Sequence, residues 1–147
     1  MAIRLGMQAK LYFKVGGVAA GGAWAELGNV KDLTLNLETG EADVTTRANA
    51  GWRATVGTLK EGSIEFEMVW DTSDAGFTAI KDAFFANAAI GLAVMDQDIA
   101  TTGSQGLQAD CSITSFSRNE ALEEAITVSV TAKPTYSATA PAWVTVP

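Results

Sequence analysis

Hydrophobic and polar residues alternate along four segments of the chain, residues 11–15, 33–37, 64–70 and 126–130. In each segment apolar side chains occupy every second position, and the positions between them are mostly polar or charged. A period of two is typical of a β-strand that has one buried and one solvent-facing side. These segments therefore predict four strands of that kind.

Two further segments add shorter or less regular strands. Residues 90–96 form a short, more apolar run, and residues 106–116 alternate through Leu107, Ala109 and Ile113 before the phase is lost ahead of Phe116. An extra residue inserted in one strand, a β-bulge, shifts the alternation in this way. The pattern predicts six strands in all, one of them bulged.

One segment has the period of a helix. Phe77, Ile80 and Phe84 recur at spacings of three and four residues after a cluster of N-cap residues at 71–74, and Gly91 offers a stop. We expect one α-helix at about 74–88. Because no linker or internal repeat divides the chain, the prediction is a single mainly β domain over residues 1–147, with one helix that covers a face or an end of the sheet.

Two segments do not fit a compact domain. Residues 38–62 are β-prone but have no apolar face, and Trp52 lies near a tip of small residues. This long projecting loop is either a disordered excursion or a hairpin that docks on another subunit with Trp52 as its anchor. Residues 136–147 contain two of the three prolines and Trp143, which predicts an extended C-terminal arm that needs a neighbour to cover it.

Charge and composition exclude several functions. The 147 residues include 17 Asp and Glu against 10 Lys and Arg, a net charge of −7, so a basic groove that grips nucleic acid or an anionic membrane is not expected. No segment has the length of apolar sequence that a membrane span needs. Residues 1–60 carry net +2 and residues 61–147 net −9, which suits head-to-tail self-association, with chance in a short chain as the alternative.

Candidate catalytic groups are weak. The chain has no histidine and one cysteine, Cys111, which excludes His-based triads, imidazole zinc sites and an internal disulfide. Glu65 and Glu67 lie about 7 Å apart on one side of a strand, a spacing that suits an acid–base pair but arises on any acidic strand face. Asp96 and Asp98 lack the other ligands of a calcium loop. We expect a protein that is not an enzyme and has no metal or cofactor.

The order of these segments resembles a known family. The stretches QAKLYFKV, WAELGNVKDLTLNL, GEADVTTRANAGWRATVGTLKEGSIEFEMVWD, FTAIKDAFF and QGLQADCSITSFSRNEALEEAITVSVTAKPT follow one another over residues 9–135. Together they are similar to the major tail tube proteins of long-tailed bacteriophages. This resemblance implies the fold that those proteins share with the type VI secretion tube protein, a β-sandwich or flattened barrel with one flanking α-helix. The similarity lies in the sequences of these segments and in their order, and it includes no catalytic signature.

The resemblance implies a structural subunit that forms hexameric rings, with the inner sheets joined into a continuous barrel and the rings stacked into a tube that conducts the DNA genome. It implies assembly in the host cytoplasm, a location in the virion tail, and contacts with tape measure, tail terminator and tail tip proteins. Residues 38–62 would be the inter-ring stacking loop, and residues 136–147 a second inter-ring contact. The expected stacking residues are Thr46, Arg47, Asn49, Gly51, Trp52 and Arg53.

The same resemblance gives the acidic balance a purpose, since a negatively charged lumen lets DNA pass without specific binding. The candidate lumen-facing residues are Thr34, Asn36, Glu65, Glu67, Thr127, Ser129 and Thr131. The sequence leaves open whether Glu65 and Glu67 face the lumen or the outer solvent. Two other functions also stay open: a tube of a related contractile or secretion particle, and a β-barrel that binds a small apolar ligand.

Overall fold

The structure, a computed structural model, describes residues 3–147 as one curled antiparallel sheet with a single α-helix. The strands are β1 Lys10–Val15, β2 Ala25–Glu26, β3 Val30–Asp43, β4 Thr55–Val69, β5 Ile90–Met95, β6 Gln105–Asn119, β7 Thr127–Pro134 and β8 Ala142–Thr145. They lie side by side in the order β2-β1-β5-β6-β7-β4-β3, and β8 pairs with the beginning of β6. Helix α1 spans Ala75–Ala86, and short 3-10 turns cover Gly6–Gln8 and Arg47–Asn49.

The main core fills the concave side of the sheet. Apolar residues from β1, β4, β5, β6 and β7 point to this side, and α1 closes it with Phe77, Ile80 and Ala83. The ring of Phe77 meets the ring of Trp70 edge to face at 4.7 Å between centroids. The predicted mainly β fold with one flanking helix is confirmed.

The helix begins where the sequence predicts and ends earlier. Asp74 is the N-cap, and its carboxylate accepts a hydrogen bond from the Phe77 backbone N–H at 2.9 Å. The helix stops at Asn87, which takes the left-handed conformation (φ 53°). The expected stop at Gly91 is wrong, because Gly91 lies inside β5, where an added Cβ would come within 2.9 Å of the Gly17 and Val18 backbone.

Strand β1 differs from its predicted pattern of one buried and one solvent-facing side. Leu11 and Phe13 join the main core, while Tyr12 is also buried, on the opposite face. A second, smaller cluster covers that face, formed by Tyr12 with Ala93 and Met95 and capped by the partly buried Trp24, Ile99 and Val146. Residues distant in sequence provide this cover, which is why the alternation within β1 does not indicate it.

The predicted β-bulge lies in β6. Ile113 pairs with Ala132 and Ser115 pairs with Thr131, so Thr114 is the extra residue. The Thr114 hydroxyl donates a hydrogen bond to the Thr131 carbonyl at 3.2 Å. Before the bulge the odd-numbered residues of β6 face the core, and after it Phe116 does, in contact with the ring of Phe84.

The C-terminal segment finds a partner within its own chain. Strand β8 pairs with residues 105–108 of β6, and the Val146 N–H donates to the Ser104 carbonyl at 2.8 Å. The Trp143 indole N–H donates to the Gln105 side chain, but Trp143 stays largely exposed. The segment is thus extended, as predicted, yet from Ala142 onwards it lies against the sheet, and residues 136–141 come before this pairing.

Candidate assembly interface

A continuous polar face covers the side of strands β3, β4, β7 and β6 that faces away from the main core. The pairing register aligns Thr34, Glu65, Thr131 and Ser115 in one row across these four strands. A second row aligns Glu67, Ser129 and Ser117, and two further pairs join Asn36 to Ser63 and Thr127 to Asn119. We call the following residues the polar face: Thr34, Asn36, Ser63, Glu65, Glu67, Ser115, Ser117, Asn119, Thr127, Ser129 and Thr131.

The structure therefore brings together all seven residues that the sequence analysis selected as lumen candidates. They share one face because each strand alternates with a period of two and because the core takes the opposite side of every strand. Ser63, Ser115, Ser117 and Asn119 were not among the candidates. Ser63 alternates in phase with Glu65 and Glu67 in β4, whereas the three β6 residues are placed on this surface by the cross-strand register.

Ser115 and Ser117 join the polar face because of the bulge at Thr114. Continued alternation from Ile113 would turn Ser115 and Ser117 towards the core and Phe116 towards solvent. The extra residue reverses this phase, so that Phe116 packs in the core and both serines face outward. The loss of phase ahead of Phe116 is the sequence signal for this arrangement.

The charge of this surface is mainly negative. A shallow depression on it is lined by Asp32, Glu65 and Glu67 together with hydroxyl-bearing residues of β3 and β7. Lys133, next to the C-terminal end of β7, contributes one positive charge. The remaining members are Ser, Thr and Asn, so the surface combines carboxylates with short, neutral polar groups.

Both lateral edges of this four-stranded region lack a strand partner within the described chain. Strand β3 is the last strand of the sheet, and its 14 residues have β4 on one side only. Strand β6 pairs with β5 through residues 106–111 and with β7 on its other side, so residues 112–119 are open on the side of β5. Long open edges are templates for pairing with another chain.

The β3–β4 hairpin projects beyond the sheet as an arm, residues 38–62. Its ladder continues without the core from the Glu38–Glu61 pair to the Asp43–Thr55 pair, with a register shift between Thr39 and Glu41. No residue in this arm is buried, and Leu59 is 83% and Trp52 78% exposed. The segment predicted as a long loop is therefore mostly paired strand, and only residues 44–54 form the connection, which we call the tip.

The tip is ordered by hydrogen bonds among its own polar residues. Thr46 and Asn49 form a capping box around the 3-10 turn, with the Thr46 N–H donating to the Asn49 side-chain oxygen at 2.9 Å. The Thr45 hydroxyl accepts from the Ala54 N–H at 2.8 Å, and the Asp43 carboxylate accepts from the Thr45 N–H at 2.9 Å. Hydrogen bonding to the side chain and to the backbone N–H of Thr45 lowers the pKa of Asp43.

The tip connects its strands through a left-handed turn. Ala50 and Gly51 have φ of 54° and 87°, and the Trp52 N–H then donates to the Asn49 carbonyl at 3.0 Å. This geometry directs Trp52 away from the ladder. Arg47, Asn49, Gly51 and Arg53, which the sequence analysis selected with Thr46 and Trp52, all lie in this one compact tip.

The weak catalytic candidates gain no support. Cys111 is buried in the core, and this burial, with the nearby Asp110 carboxylate, raises the pKa of its thiol to about 12. Glu65 and Glu67 belong to the open polar face, where their partners in the pairing register are the hydroxyl-bearing Thr34, Thr131 and Ser129. Within residues 3–147, no cluster of three metal-binding side chains occurs and no helix could span a membrane.

Comparison with known protein families gives one match, to a family model described as phage tail tube protein, over residues 9–135. No curated protein sequence matches the chain.

Several solved structures share the fold. The chain is 18% identical to a subunit in the tail of an empty gene transfer agent particle refined with C6 symmetry (TM-score 0.73), covering 97% of this chain and 99% of that one. It is 18% identical to the tail tube protein of SPP1, covering 89% and 75% (TM-score 0.72). It is 6% identical to a chain of the six-fold symmetrised baseplate of the anti-feeding prophage, covering 99% and 98% (TM-score 0.65).

Proposed function

The chain belongs to the phage tail tube protein family, and we propose that its copies form hexameric rings that stack into a hollow, DNA-conducting tube. Membership of the family makes it a structural subunit of the virion tail. The ring, the lumen and the path of the DNA are the proposed part. The observation that carries them is the four-stranded polar face with its two open edges.

Strand directions support closure of a ring by rotation. Strands β3, β4, β7 and β6 are antiparallel in sequence across the face, so the open edges of β3 and β6 run in opposite directions. Rotation about an axis along the tube preserves these directions in every copy. The β6 edge of one copy then lies antiparallel to the β3 edge of the next, and repetition pairs every open edge into a closed barrel.

The number six comes from similar assemblies. The gene transfer agent tail was refined with C6 symmetry, and the anti-feeding prophage baseplate was six-fold symmetrised. A common fold supports, for this chain, the same cyclic arrangement. In a closed barrel of these strands the core and α1 lie on one side of the wall, which leaves the polar face for the lumen.

A lumen lined by the polar face suits the passage of DNA. Glu65, Glu67 and Asp32 repel phosphate, and the surrounding hydroxyls carry no charge that could hold the DNA backbone, so the carboxylates outweigh the single cation Lys133. DNA would therefore pass without specific binding. In the same proposal the arm contacts the next ring, and the tape measure, tail terminator and tail tip proteins are further partners.

The test is direct observation of the purified chain. We expect negative-stain microscopy to show rings or tubes with a central channel, and image averaging to give six-fold symmetry. A chain that stays monomeric across concentrations at which the tail assembles would refute the proposal.

A second candidate is the tube of a contractile or secretion-like particle, which the fold shared with the anti-feeding prophage chain favours. A separate sheath protein that binds the outside of the tube would distinguish it. The small-ligand barrel loses its basis, because α1 and the side chains of Phe77 and Ile80 fill the concave side of the sheet.

A further inference from the structure

The tip presents an aromatic side chain between two cations. Trp52 is 78% exposed, and Arg47 and Arg53 flank it on the same short turn. Residues 44–54 contain no acidic residue, and neither arginine forms an ion pair within residues 3–147. Since its own hydrogen bonds hold the turn in shape, the tip is preorganised for a contact that the single chain does not make.

The opposite end of the sheet presents an apolar side chain among carboxylates. The loop between β6 and β7, residues 120–126, exposes Leu122 at 99%. Glu120 pairs with Arg118 at 2.6 Å, whereas Glu123 and Glu124 form no ion pair within the described chain. An exposed leucine with free carboxylates beside it matches the tip in both charge and apolar character.

The two surfaces cannot meet within one chain. Strand β4 starts at the tip, at Thr55, and ends at Val69, which pairs with Thr127 beside the acidic loop. A strand of this length spans about 45 Å. The tip and the loop therefore lie at opposite ends of the same hairpin and sheet, and copies that stack in one direction along the strands present one to the other.

We propose that the tip of one copy binds the acidic loop, residues 120–126, of a second copy in the next ring. Trp52 packs against Leu122, and the two arginines of the tip pair with Glu123 and Glu124. Because the two surfaces differ, the contact is head-to-tail and leaves a free tip and a free loop at the ends of every stack, so it can repeat without limit. This inference rests on the proposed stacking of rings and names its receiving surface.

Single exposed ion pairs are weak, but a ring repeats each one in every subunit. The charges should therefore control the concentration at which tubes form. The variant Arg47→Glu with Arg53→Glu places carboxylates opposite carboxylates, and we expect its critical concentration for tube formation to rise at least about tenfold, in keeping with like-charge juxtaposition at an interface. The variant Glu123→Lys with Glu124→Lys should do the same by placing cations opposite cations.

The decisive sample combines all four substitutions, which restores opposite charges with reversed signs. We expect tubes to return close to the wild-type critical concentration, measured by sedimentation and by tube length in micrographs. The control is Asp82→Lys at an exposed position of α1, outside both surfaces, which changes the net charge as much as Glu123→Lys alone does and should assemble as the wild type does.

Two results would overturn the inference while leaving the proposed function intact: normal tubes from the arginine variant, or four substitutions that do not restore assembly. A wild-type chain that forms no rings or tubes would instead refute the proposed function itself. Circular dichroism of each variant separates a loss of assembly from a loss of folding.

Discussion

The lower and upper halves of the β3–β4 hairpin have the same backbone pairing and opposite relations to the core. In the lower half, Leu35 pairs with Ile64 and Leu33 with Phe66, and these side chains pack in or against the main core. In the upper half, beyond Leu37, the ladder continues for a similar length with no buried residue at all. Strand pairing thus extends well past the region that apolar burial stabilises.

The difference separates folding from assembly. A two-stranded hairpin without a hydrophobic face is at best marginally stable in water, so the upper half depends on the register that the lower half sets and on the hydrogen bonds of the tip. Its exposed Leu59 and Trp52 gain nothing within the single chain. The lower half therefore carries stability, and the upper half is exposed for the contacts with other copies that we propose.

The most drastic way to test this separation is to remove the tip. Replacing residues 45–53 by Asn-Gly would join Val44 to Ala54, whose backbones already bond across the hairpin in the register of the Asp43–Thr55 pair, through a two-residue turn. We expect tube formation to be lost and the thermal unfolding midpoint of the subunit to stay within a few degrees of the wild type. Tubes of normal length from this variant, seen by microscopy, would exclude the tip from stacking.

A paired core substitution tests the same comparison in the single subunit. Phe66→Ala in the lower half should lower the free energy of unfolding by about 3–5 kcal/mol, because it removes a buried aromatic ring and leaves a cavity. Its matched control, Val56→Ala in the upper half, should cost less than about 1 kcal/mol. Urea unfolding of both variants measures the contrast, and equal losses would contradict it.

The polar face of the lower half allows a test that leaves the fold unchanged. Glu65→Lys with Glu67→Lys should change the stability of the subunit little, because both side chains lie outside the core. Assembled tubes of this variant should retain duplex DNA at least about tenfold more strongly than wild-type tubes at low salt, with the difference shrinking as salt is added. Tubes of the Asp82→Lys variant serve as the control, and equal retention by all three would place Glu65 and Glu67 outside the lumen.

The smallest expected effect is the pH response of the tip. The Thr45 hydrogen bonds hold the pKa of Asp43 below its ordinary value of 3.8, so the ionised carboxylate favours the ordered turn. This contribution is present above the ordinary pKa and is lost as the pH falls through the lower, folded value. The Thr45 amide resonance should therefore keep its position at pH 4 and move only in more acidic solution, and Asp43→Asn should remove that transition.

Much of the sheet could be predicted from the sequence because its core side is regular. Period-two alternation identified β3, β4 and β7, and the loss of phase ahead of Phe116 identified the bulge in β6. For the upper hairpin the sequence left open a disordered excursion or a projecting hairpin, because strands without an apolar face carry no such period. The buried position of Tyr12 was missed because Trp24 and Ile99, which cover it, come from distant loops.

The same distinction applies to the candidate site: patterns within one strand could be predicted, and features that depend on other strands or on backbone geometry could not. The seven lumen candidates share one face because alternation within a strand is visible in the sequence. Ser115, Ser117 and Asn119 required the register between strands, which depends on the turn of each hairpin and on the position of the bulge. The tip could be delimited by its composition, whereas its capping box and left-handed turn required backbone geometry.

Because of the single extra residue at Thr114, the side on which each later residue of β6 lies depends on whether the number of inserted residues is odd or even. Inserting or deleting one residue there would exchange the inward and outward positions of the rest of β6, exposing Phe116 and burying two serines, whereas a change of two residues would keep every side chain on its side. Homologous tubes that vary in length at this point should therefore differ by even numbers of residues. The composition of the polar face would then depend more on the number of residues at this point than on which amino acids they are.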